Sequence, residues 1–235
     1  MKKLMIVLFV ISSLMVFSVG FDELRTQFVR ANSERNVEKM EVVIDLTENN
    51  TNDASIMALN AEAMTEIANW GYTDDAIRED MYEKAVEKGE AAVEIESTTY
   101  TNYVAGAAIG RLAQYKGIVS SLFMLGDFDD YISTAIELDP NNFKALVAMG
   151  MRYRDTPWPA GNNKKSEQYL KQAIEAEPTY INSYYELGIL YKEWGKDEEA
   201  IEMFEEVLER PVHPNFVAQG EEAKMEAEKH LEELR

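Results

Sequence analysis

Two histidines, His213 and His230, are the chain's whole supply of imidazole, and it has no cysteine. His213 lies in a turn between Pro211 and Pro214, and His230 lies in a charged stretch near the C-terminus. They are neither paired nor at ligand spacing, so the expectation is two surface histidines and no metal site. Without a thiol or a nucleophilic serine motif, covalent catalysis lacks its parts. No glycine-rich loop is present to cradle a phosphate. Asp127-Phe128-Asp129-Asp130 offers three hard carboxylates, but the glycine and the closing glutamate of a calcium loop are missing. The better reading is that Gly126 ends one helix and the aspartates cap the next. Glu198, Glu199, Glu202, Glu205, Glu206 and Glu209 flank an apolar stripe of Ile201, Phe204 and Leu208, which describes a solvated helix face. No catalytic residue, cofactor or metal is therefore expected, and what chemistry there is must be binding.

The elements that would position a binding surface are all helices. The 235 residues are 46% hydrophobic with only 6 prolines, enough to bury a core without a disulfide framework. The formal net charge of -20 excludes a phosphate-backbone footprint, so nucleic acid is not a partner. Lys2 and Lys3 precede an apolar run over residues 4–17 and then Ser18-Val19-Gly20, the pattern of a secretory signal cut after Gly20. That run is shorter than the roughly 20 residues of a spanning helix. The expected division is a signal peptide at 1–20, a helical hairpin at 21–52, and a repetitive helical region at 53–235 with a capping helix from about 215. Export to a periplasm or to the outside follows, with no stable membrane span once the signal is removed.

Within the repetitive region, small or apolar residues stand seven apart in four places: Ala85 and Ala92, Phe128 and Ala135, Ser166 and Ala173, Ala200 and Val207. They mark the second helices of four hairpins, and five residues further on the chain reaches Ser97, Pro140, Pro178 and Val212. The successive intervals Ala92 to Ala135, Ala135 to Ala173 and Ala173 to Val207 are 43, 38 and 34 residues. The extra residues of the second interval fall in a loop over 154–163 that holds two prolines and a glycine. Those of the first are expected to lengthen one helix over 100–125, whose Gly106, Gly110 and Gly117 present a small-residue surface for close packing. The last unit reads Tyr184-x-x-Leu187-Gly188-x-x-Tyr191, Gly195, Ala200-x-x-x-Phe204, then Pro211. This resembles the thirty-four-residue tetratricopeptide repeat with tyrosine in the leading place. The expected fold is all-α, a tetratricopeptide-type hairpin solenoid with a C-terminal capping helix.

A narrower resemblance runs from Tyr82 onward. Tyr82-Glu83-Lys84-Ala85, the run from Ile109 through Gly110-Arg111 to Gly117, Ala135-Ile136-Glu137-Leu138-Asp139-Pro140, and Pro157-Trp158-Pro159 ahead of Gly161-Asn162 resemble one group of proteins. These are the T-component proteins associated with TRAP transporters and their relatives in the regulator-of-microtubule-dynamics family. The resemblance implies a periplasmic helical scaffold with an internal groove or pore, paired with a transporter's substrate-binding protein. The repeat resemblance implies which positions face the groove: Val104, Ala108 and Arg111, then Lys144, Val147, Met151 and Arg154, then Tyr185, Ile189 and Lys192. Arg111, Lys144, Arg154 and Lys192 would form a positive ladder gripping a carboxylate on a partner peptide or small ligand, unless neighbouring acids such as Asp155 and Glu193 neutralise them. Trp158 is expected to plug the structure, or else to act as a lid. The function expected is non-enzymatic: a protein or peptide partner held in the concave groove. The alternative is an apolar small molecule or lipid carried in a pore between helices.

Overall fold

A computed structural model describes residues 20–235, so the signal expected at 1–20 lies outside the described residues except for Gly20. Among the described residues there are eleven helices and no strand. In order they are α1 (Phe21–Ser33), α2 (Val37–Thr47), α3 (Ala54–Trp70), α4 (Asp75–Ile95), α5 (Thr99–Lys116), α6 (Ile118–Leu138), α7 (Phe143–Asp155), α8 (Asn163–Ala176), α9 (Asn182–Glu193), α10 (Asp197–Glu209) and α11 (Val217–Leu234).

Most starts follow from local chemistry. Asn36, Asp53, Asp74, Asn142 and Asn162 each turn a side-chain oxygen onto amides of the first helical turn, and Thr98 forms a reciprocal capping pair with Thr101. Each such cap contributes about 1 kcal/mol.

Helices pair with their sequence neighbours as hairpins, and the odd-numbered ones also touch each other in sequence from α1 to α11. The odd helices thus form the inner layer and the even ones the outer. All eight residues of the seven-apart pairs are buried, on α4, α6, α8 and α10. Gly188 shows why the repeat needs its glycine. A Cβ there would sit 2.7 Å from the ring of Phe204, which is itself completely buried. The small-residue surface of α5 works in the same way: Gly106 and Gly110 lie under Ile132 and Phe128 of α6.

Two expectations about this region fail. The chain does not run as one helix over 100–125; it breaks at Gly117, whose φ of +82° is open to glycine and costly for other residues. The extra length belongs to α6, a second helix. Gly126 and Asp127, Asp129 and Asp130 consequently lie inside α6 instead of capping it.

The solenoid closes on itself. α11 docks on α9 and α10 through Ala223, Ala227 and Leu231, then reaches α1. The Val217 amide donates to Ser33 Oγ at 3.2 Å, and Arg35 pairs with Glu222. No helix among the described residues is long and apolar enough to cross a membrane.

Candidate functional site: a cavity inside the closed solenoid

Closure leaves a cavity of about 590 Å³, lined by the inner faces of α3, α5, α7, α9 and α11 and by Met124, Leu125 and Phe128 of α6. α5 presents Tyr103, Ala107, Gly110, Arg111 and Gln114, a stripe at helical spacing. From α7 come Lys144, Val147, Ala148, Met151 and Arg152, and from α9 Asn182, Tyr185 and Glu186. Across from them stand Thr65, Glu66 and Asn69 of α3, with Gln219 and Glu222 of α11.

Of the groove residues expected from the sequence, Arg111, Lys144, Val147, Met151 and Tyr185 line this cavity. Val104 and Ala108 do not; they are 1% and 0% exposed, packed in the core. The unit containing α5 lacks the Leu-Gly signature that anchors the register, and its real inner stripe is displaced from the expected one. Arg154 is held by Glu186 at 2.5 Å and Asp155 at 2.6 Å, with Glu193 at 3.9 Å. Lys192 pairs with Glu233 and lies 2.9 Å from His230 Nδ1, both on α11. Ile189 packs half-buried in the core between α9 and its neighbours. The four cations therefore form no free ladder: α11 covers Lys192, and the acids on α7 and α9 neutralise Arg154. His230 is not a surface residue either, since α11 stacks its ring on Phe204 at 4.9 Å. Trp158, expected as a plug, is 89% exposed, though its neighbour Pro157 lines the cavity.

Sequence reasoning missed two buried carboxyls of α3, Glu66 on the cavity wall and Glu62 behind it. Glu62 and Glu66 stand one turn apart on α3, a helix otherwise apolar on almost every face. A charge inside such a run is the signal that could have found them, because a buried polar group is the informative exception. Glu62 is bound by Arg25 of α1, by Tyr100 Oη of α5 at 2.8 Å, and by Lys144 of α7 at 3.1 Å. Burial alone would raise its pKa, but Lys144 and Arg25 outweigh burial and take it down to about 2. For Glu66 burial wins over Arg111 and Lys144, and its carboxyl is pushed up. Glu66 Oε2 is shielded from solvent and has no partner among the described residues. The same is true of Asn182 Oδ1, Gln219 Oε1 and Arg35 Nε.

Arg111 has Gln114 Oε1 at 3.2 Å as its hydrogen-bond partner, and among the described residues no carboxylate lies within ion-pair distance of it. The aromatic part of the wall is built around Lys144, whose ammonium lies 5.5 Å from the Tyr103 ring centre and 5.2 Å from that of Phe216. Tyr180 meets Phe216 edge-on at 4.9 Å. Among the described residues no group of histidine, aspartate or glutamate could hold a metal ion.

Residues 22–154 match the family described as regulator of microtubule dynamics protein 1-3, and residues 169–202 match a tetratricopeptide repeat family. The crystal structure of a thermophilic tetratricopeptide protein in Thermus thermophilus aligns with a TM-score of 0.67 at 16% identity, over 88% of this chain and 98% of that one. The crystal structure of MamA aligns with a TM-score of 0.50 at 17% identity, over 82% of this chain and 95% of that one. At such identities the likeness shows the helical repeat fold alone. No curated protein matches the chain.

Proposed function

The chain belongs to the family of regulator of microtubule dynamics proteins 1-3, and from that premise we propose that it is an exported, non-enzymatic scaffold whose cavity holds a segment of a partner protein. The observation that carries this is the cavity itself. Six helices, α3, α5, α6, α7, α9 and α11, aim side chains at one space reachable from solvent, and among the described residues they bring no nucleophile–base pair with them. Tetratricopeptide architecture is a binding architecture, with the inner layer as the usual contact face.

Export rests on the leader pattern at residues 1–20. A substrate-binding protein of a TRAP-type uptake system is the partner class that the sequence resemblance suggests. An apolar cargo or lipid suits the wall less well. It would leave Arg111 and Glu66 dry and without counter-charges, at a cost of about 1–3 kcal/mol for each polar group left unsatisfied.

Ala148 lines the cavity and is half-buried, so Ala148→Trp places a large ring in that space, with helical circular dichroism to check that the variant is folded. The processed chain, immobilised and exposed to envelope extract of its own cells, should retain a protein that Ala148→Trp fails to retain. Equal retention by both chains, or none by either, would sink the reading.

A further inference from the structure

Among the described residues, nine charged side chains line the cavity: Arg35, Glu66, Arg111, Lys144, Arg152, Asp155, Glu186, Glu222 and Glu226. Seven are already in ion pairs, with Lys144 on Glu62, Arg152 on Asp129, Asp155 and Glu186 on Arg154, Arg35 on Glu222, and Glu226 on Lys229. The two left over are Glu66 and Arg111. They are of opposite sign, on adjacent inner helices, and not paired with each other. They are close enough for Arg111 to pull on the Glu66 carboxyl, yet burial prevails there. Glu66 keeps a shielded oxygen without a partner, and Arg111, half-buried, has only the neutral Gln114 beside it; an occupant of the right chemistry would supply the counter-charge that each lacks.

Charge arithmetic selects that chemistry. An anion would satisfy Arg111 but add a second negative charge beside Glu66. A cation would do the reverse, and a neutral molecule would bring hydrogen bonds but no counter-charge to either. We propose that the cavity binds a small zwitterion of the α-amino acid class, its carboxylate taken by the Arg111 guanidinium and its ammonium by Glu66. Asn182 and Gln219, whose amide oxygens are also unpartnered among the described residues, supply further acceptors for the ammonium. Tyr103, Tyr180 and Met151 give the ligand's side chain an apolar wall. The volume of about 590 Å³ falls inside the range of about 300–1,000 Å³ typical of small-molecule sites. This goes beyond partner capture and does not depend on it.

Titration calorimetry on the processed chain with glycine, L-leucine, L-glutamate and L-lysine tests the proposal. At least one should bind saturably. For the best binder, N-acetylation removes the ammonium and conversion to the amide removes the carboxylate. Each change should weaken binding by roughly tenfold to a hundredfold, the usual worth of a charge-assisted hydrogen bond. Glu66→Gln should abolish the preference for the free amine over its acetylated form. Arg111→Gln should abolish the preference for the acid over its amide. Helical circular dichroism checks that both variants are folded. Silence from all four amino acids, or binding that neither variant changes, overturns the proposal. Equal binding of the acetylated form overturns it too, because the ammonium would then make no contact with Glu66. None of these outcomes bears on whether Ala148→Trp loses the partner.

Discussion

Glu62 and Glu66 differ by one turn of α3 and by nothing in side-chain type, yet they have opposite surroundings. Glu62 gathers Arg25, Tyr100 and Lys144, and through them joins α1, α5 and α7 to α3. Its charged form is stabilised well below the ordinary range. Glu66, unlike Glu62, lines the cavity, with an unpartnered oxygen and a carboxyl pushed upward by burial. The difference teaches that a buried acid in this fold is not of one kind. Lys144 reaches Glu62 and is held there, so the node at Glu62 is part of the framework. What remains for Glu66 is whatever enters the cavity.

The largest expected effect of breaking this contrast is on stability at Glu62. Glu62→Gln leaves Arg25 and Lys144 half-buried without their counter-charge, and should cost about 3 kcal/mol in a denaturant titration. A loss below about 1 kcal/mol would mean that solvent already screens the node.

Acid should reproduce that loss in the unmodified chain. Because the folded pKa of Glu62 is depressed to about 2, its contribution is present above the unfolded value near 4.5. It disappears as pH falls from about 4.5 towards about 2, on the order of 3 kcal/mol in total. Unfolding followed over that window should show the drop in the unmodified chain and a flatter profile in Glu62→Gln.

Glu66→Gln should have the smallest effect and the opposite sign. A raised folded pKa penalises the native state as pH rises above the unfolded value, so the substitution should be neutral or add up to about 1 kcal/mol at neutral pH. That gain should vanish in acid. If Glu66→Gln destabilised the chain as much as Glu62→Gln, the two acids would be of one kind and the cavity would lose its free carboxyl.

Much of the fold was legible in short-range spacing. Ala200 and Phe204, with Gly188 opposite, encode one hairpin, because a ring that size needs a residue without a side chain across from it. The four seven-apart pairs marked α4, α6, α8 and α10 for the same steric reason. The break at Gly117 was harder to read, since that glycine stands among other small residues that serve packing. The site was half legible. On α7, Lys144, Val147 and Met151 were placed by repeat spacing, whereas on α5 Val104 and Ala108 fell into the core.

The amino-acid order by itself determined the helices, their caps and the hairpin pairing, because each depends on groups within a turn or two, or across one tight turn. Only the tertiary structure decided which polar residues were spoken for. Arg35 meets Glu222 across 187 positions of sequence, and Lys192 is covered by α11. Those distant contacts turn a concave face into the wall of a cavity that solvent still reaches. Ion pairing there depends on where the end of the chain comes to rest, and among the described residues that leaves Arg111 and Glu66 as the two charges on the wall without an ion-pair partner.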